Sequence, residues 1–211
     1  QDAQKRNIRA LADHVRGTLA LAEASIAQHP SPSIAIITGF YLEHGQPPNC
    51  ETDGPPGAAM LAAALTAAGI PCRVATDMAN ARVVQATLAA AGLGDRVPID
   101  LISMHEDGGD GGAPLSEVER AWRRATPGIS HVIAVERCGP SGDGAPPDAR
   151  GVDIRAHNAP LDRLFAGGPW QTIGIGDLGN ELGMGSLPLD LVAGNIAHGR
   201  ELWCNIACDY P

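Results

Sequence analysis

Short apolar runs recur along this chain, each closed by a polar residue and followed by a helix-like pattern, and this alternation restricts the possible folds more than any other feature. Residues 34–38, 71–75 (extended by Thr76-Asp77), 97–102, 131–135 and 171–175 have the length and apolar bias of strands, and Ile34-Ala35-Ile36-Ile37 reads as one that is buried. Between them, residues 58–68, 81–91 and 115–125 read as helices, with Gly69 and Gly92 closing the first two, and a shorter helix is expected near 161–165. Upstream, Ile8, Leu11, Val15, Leu19, Ala22 and Ile26 recur at spacings of three and four, predicting one long amphipathic helix within residues 1–30. A final run, 202–207, is strand-like. The expected class is α/β: a three-layer, doubly wound, Rossmann-like sheet of about six mostly parallel strands with helices on both faces, formed by residues 1–211 as one domain.

In such a sheet ligands bind outside the carboxyl ends of the strands, and here those ends carry Thr38, Asp77, Ser103, Glu136 with Arg137, Asp177 and Asp209. Glu51-Thr52-Asp53-Gly54-Pro55-Pro56-Gly57 joins the first strand to an Ala-rich helix. Thr52 or Asp53 can cap that helix, proline is tolerated in its first turn, and backbone N–H groups there favour an anion. Arg137 offers a bidentate carboxylate clamp directly after a strand. Residues 174–185 carry five glycines interleaved with Asp177, Asn180 and Glu181. Gly174-x-Gly176-x-x-Gly179 matches a dinucleotide expression, but its first glycine lies inside the strand and Asp177 would meet the pyrophosphate. The run is better read as a loop admitting a small ligand close to the backbone, with Asp177 and Glu181 supplying acid, base or metal-ligand oxygens.

A net charge of −9 with scattered Lys and Arg argues against nucleic acid, and no apolar run reaches the length of a bilayer span. Neither a membrane nor a signal peptide is indicated, so a cytoplasmic protein is expected, with a small-molecule partner and a homo-oligomer left open. Five cysteines without a Cys-x-x-Cys pair suggest reduced thiols.

Thr38-Gly39-Phe40, the 51–58 stretch, His131 to Arg137 with Gly139, Asp143-Gly144, and Gly174-Ile175-Gly176-Asp177-x-Gly179-Asn180-Glu181-Leu182-Gly183-Met184-Gly185 follow one another in an order that resembles the C-terminal catalytic-type domain of the D-glutamate cyclases. Leu178 stands where that pattern has another glycine, relatives continue beyond the position of Pro211, and longer members carry an additional N-terminal domain. The resemblance implies conversion of D-glutamate to 5-oxo-D-proline and water, an acidic amino acid as substrate and a carbon–oxygen lyase. Cyclisation needs a neutral amine to attack a γ-carboxyl that is a poor electrophile, hence a base and an activating group. Asp177, Glu181, Asp53 and Glu136 are the candidate catalytic carboxylates, with Asp177 or Glu181 as the base. Thr38, Gly39, Glu51, Thr52, Gly54, Gly57, Arg137, Gly176 and Asn180 are the candidate substrate-binding residues. The sequence requires no cofactor; a divalent cation, Mg²⁺ or Mn²⁺, could instead bridge Asp53, Asp177 and Glu181. A non-catalytic module binding an acidic amino acid or a nucleotide, and a metal-dependent hydrolase, are the alternatives.

Overall fold

The computed structural model describes residues 7–46 and 48–211. In chain order the elements are α1 (Ile8–His14), α2 (Thr18–Gln28), β1 (Ile34–Thr38), β2 (Tyr41–Leu42), β3 (Asn49–Cys50), α3 (Gly54–Ala67), β4 (Cys72–Asp77), α4 (Ala81–Ala90), β5 (Ile99–Ile102), α5 (Leu115–Arg124), β6 (His131–Val135), α6 (Asp162–Ala166), β7 (Gln171–Ile175), α7 (Leu189–Asn195) and α8 (Gly199–Leu202). The main sheet is five-stranded in the order β5-β4-β1-β6-β7, and all its pairings are parallel. Strand order reverses between β1 and β6. In a doubly wound sheet that reversal opens a crevice, because the connections from the two strands leave toward opposite faces.

β1 is buried at every residue, and its two faces feed two separate cores. Ile34 and Ile36 pack with Ala58, Ala59 and Ala62 of α3 and Val84 and Leu88 of α4. Ala35 and Ile37 pack with Leu11 of α1, Trp122 of α5, Leu164 and Phe165 of α6 and Val192 of α7. Burial on both sides is why β1 reads as a continuous apolar run, and α3 meets the sheet through alanines because small side chains allow close approach.

Two expectations need correction. The sheet has five strands, not six: residues 202–207 end α8 and continue as loop, with β character limited to isolated bridges of Ala207 with Gly183 and Met184 and of Tyr210 with Ile173. That run is pinned from within, Cys204 donating its N–H to the Gly179 carbonyl and Ile206 accepting from Gly183 and Gly185. The predicted N-terminal helix is two, broken where Gly17 adopts φ 95°. The long connection after β1 contains the antiparallel hairpin β2–β3, tethered by Asn158, which accepts from the Tyr41 N–H and donates to its carbonyl. Among the described residues no helix is long and apolar enough to cross a membrane, and all five cysteines are free thiols.

Candidate functional site

A cavity of about 310 Å³ opens at the carboxyl edge of the sheet, over the point where strand order reverses. Its walls come from the β1–α3 connection (Phe40, Leu42, His44, Gly45, Glu51, Asp53), the end of β6 (Glu136), the turn at Asp148–Arg150 and the loop after β7 (Asp177, Leu178, Asn180, Glu181). All four carboxylates assigned catalytic roles from sequence therefore face one space. Of the expected binding residues, Glu51 and Asn180 line it with them.

Glu136 follows β6 directly, and its N–H still donates to the Ile175 carbonyl as if the ladder continued. Its backbone then turns to φ 46°, a conformation L side chains seldom adopt. Burial, and next the facing charges of Glu181, Asp177, Asp53 and Glu51, push the Glu136 carboxyl up to about 8. The shift favours the protonated form at neutral pH, because ionising the group would place a charge in a buried site and add it to an already acidic space.

The loop after β7 is organised by Glu181. This side chain is buried, and its Oε1 accepts the N–H groups of Asp177 (3.3 Å) and Leu178 (2.8 Å) while Oε2 accepts that of Gly179 (2.7 Å). Burial raises its pKa, and the N–H groups of Gly179 and Leu178 oppose that shift by favouring the carboxylate. Gly176 lies so close that a Cβ there would come within 2.6 Å of Glu181 Cβ, and Gly174 and Gly183 face each other at comparable range, so these glycines serve close packing. Asn180, also buried, donates to the Pro147 carbonyl; its Oδ1 has no hydrogen-bond partner among the described residues. Glu136, Asp177 and Glu181 each bring an oxygen within 4.8 Å of the others, a grouping able to hold a cation. Asp53, expected in that set, lines the cavity but stands outside the grouping; its Oδ1 accepts the Gly54 N–H at the start of α3.

The other expected binding residues are placed elsewhere. Arg137 is wholly buried and absent from the cavity wall. Its Nη1 donates to Asp77 Oδ2 and to the Gly39 carbonyl, both at 2.7 Å, and Nη2 donates to the Ala159 carbonyl at 2.6 Å. It is a strut joining β4, β1 and β6, so the clamp role read from sequence does not fit this position. Gly39 turns at φ 102° to present that carbonyl, in a space where a Cβ would lie 2.6 Å from Thr76 Oγ1. Thr38 is buried and donates to the Val135 carbonyl. Gly54 and Gly57 let α3 approach β6, since a Cβ on either would meet Glu136 or Val135 at 3.1–3.2 Å. Thr52 is exposed and not on the cavity wall, and Gly176 borders a second, mostly apolar cavity beside α1. The first turn of α3 offers little to an anion: Pro55 and Pro56 have no N–H, and those of Gly54 and Gly57 bond to Asp53.

Asp148 and Arg150 were not singled out from sequence, because they lie in a turn-rich stretch without periodicity. The signal available was an Asp two residues before Arg and three before a glycine, the pattern of a side-chain-stabilised turn.

The comparisons with known proteins agree with one another. The family model described as D-glutamate cyclase-like, C-terminal, matches residues 1–211. A human protein, "D-glutamate cyclase, mitochondrial", is 31% identical over 198 residues, covering 90% of this chain and 31% of the relative. The chain thus spans about a third of the length of that relative.

Proposed function

From the premise that the chain belongs to the D-glutamate cyclase-like family, we propose that its acidic cavity closes D-glutamate into 5-oxo-D-proline, releasing one water. The observation that carries this reading is the Glu136 carboxyl, buried and shifted up to about 8, with an oxygen within 4.8 Å of one from Asp177 at the wall of one small cavity. A substrate ammonium is attracted to such a space. Asp177 takes a proton from it, and the freed amine attacks the γ-carboxyl carbon, forming the C–N bond. Glu136 donates its proton to the γ-carboxylate, which makes that group a better electrophile. Once the C–N bond has formed, the proton collected by Asp177 passes to the same oxygen, which departs as water as the C–O bond breaks, and the second proton lost by the nitrogen returns to Glu136, so both carboxyl groups end the cycle as they began it. Glu181 holds residues 177–179 in place with both of its oxygens accepting N–H groups of that loop, so of the two candidate bases Glu181 takes the positioning part and Asp177 the catalytic one.

The grouping of Glu136, Asp177 and Glu181 supports a second reading of the same chemistry, in which Mg²⁺ or Mn²⁺ takes the place of the Glu136 proton as the activating charge. Incubating the protein with D-glutamate, L-glutamate and D-glutamate plus EDTA, and following 5-oxoproline, tests both. Product from the D enantiomer with and without EDTA is expected. No product from either enantiomer removes the cyclase reading, and loss with EDTA alone replaces the proton by a cation.

Asp177→Asn keeps the shape of the side chain and removes its basicity. Turnover should fall by at least about a hundredfold, the lower end for general acid–base catalysis, with the melting temperature unchanged. A variant with the normal rate would exclude Asp177 as the base.

A further inference from the structure

The cavity contains a disproportion that the cyclase reading must answer. Glu51, Asp53, Glu136, Asp148, Asp177 and Glu181 all border it, yet the proposed substrate carries two carboxylates. Protonation of Glu136 accommodates one of them. The other needs a cation, and Arg137, the residue best placed in sequence, is enclosed in its pair with Asp77. The first turn of α3 has its donors missing or engaged.

Resting on the cyclase reading of this site, we propose that Arg150 is the specificity-determining residue that grips the substrate's α-carboxylate. Arg150 is the arginine on the cavity wall among the described residues, at the tip of a turn built for holding it. Asp148 Oδ1 accepts the N–H groups of Arg150 (2.8 Å) and Val152 (3.0 Å), and the Gly151 N–H returns to the Asp148 carbonyl. Asp148 Oδ2 then accepts Nε (3.2 Å) and Nη2 (3.0 Å) of the guanidinium. The turn is itself closed by the bridge between Pro147 and Asp153 and tied to the loop after β7 through Asn180.

This differs from an ordinary surface ion pair in one respect. Asp148 is almost fully buried and fixed by backbone donors, while the Arg150 side chain is 62% exposed. The aspartate therefore orients the guanidinium through Nε and Nη2, and among the described residues Nη1 has no hydrogen-bond partner, on a side chain that borders the cavity. A planar fork held by one edge is preorganised to take a carboxylate on the other, which reduces the side-chain entropy lost on binding. With the α-carboxylate there, the γ-carboxyl would reach toward Glu136 and the amine toward Asp177. A lysine would supply the charge without the fork.

Glutarate, which has both carboxylates and no amine, isolates this contact from catalysis. Calorimetric titration at neutral pH is expected to show glutarate binding weakened at least about tenfold in Arg150→Gln, with Arg150→Lys between that variant and the unaltered protein. For D-glutamate the corresponding loss should appear mainly as a rise in KM. Equal glutarate affinity in Arg150→Gln and the unaltered protein overturns the assignment, even if D-glutamate is cyclised; so does the absence of glutarate binding by the unaltered protein. A tenfold loss upholds it even if D-glutamate is not cyclised, in which case the cyclase reading alone falls.

Discussion

Glu136→Gln is expected to lower 5-oxo-D-proline formation by a hundredfold or more and, above pH 8, to make the fold more stable. The first effect follows from removing the proton donor. The second follows from linkage. The folded-state pKa of about 8 lies above the ordinary carboxyl value of 4.5, so between those limits the folded protein binds more protons at this position than the unfolded chain does. The contribution of Glu136 is therefore fully favourable below pH 4.5 and is lost as pH rises through 8. Glutamine never ionises and escapes that loss, which is on the order of a few kcal/mol. Urea midpoints for the two proteins should coincide near pH 4 and separate at pH 9 in favour of the variant. A variant that is inactive and no more stable at pH 9 would show that Glu136 is not held protonated by its surroundings.

The second large effect concerns Arg137. Deleting one partner of a fully buried pair leaves the other charge uncompensated, so Arg137→Ala should lose roughly 3–5 kcal/mol of stability and leave the carbonyls of Gly39 and Ala159 without their donor. Removing both charges, as in Arg137→Met with Asp77→Asn, should recover part of that loss. Urea denaturation of the single and double variants measures the difference. If Arg137→Ala unfolds at the normal midpoint but fails to bind glutarate, Arg137 is a ligand clamp after all and the strut assignment is wrong.

These two neighbours show where the sequence was informative and where it stopped. Both stand after an apolar strand, and composition alone makes them equal candidates. The backbone separates them: Glu136 turns at φ 46° and borders the cavity, while Arg137 continues inward to an aspartate sixty residues away. Local pattern cannot show which distant carboxylate an arginine will meet. The bounds of β1 and β6 were legible because strands buried on both faces appear as nearly continuous apolar runs. The break at Gly17 was not, because the apolar repeat continues across it, and the 202–207 run misled because its burial comes from contacts with the 179–185 loop and not from a strand ladder. Glu181 was recognisable as a chemically capable residue in a glycine-rich loop. That its oxygens are occupied by N–H groups of the same loop depends on geometry that glycine spacing does not encode.

The central claim is that a carboxyl kept protonated by burial, and secondarily by its acidic neighbours, activates D-glutamate for cyclisation, and the pH dependence of kcat/KM tests it most directly. The account predicts product from D-glutamate and a rate that falls about tenfold per pH unit above pH 8, as Glu136 gives up its proton. A rate that continues to rise through pH 8 to 9.5, following only the loss of the substrate's ammonium proton, would contradict it.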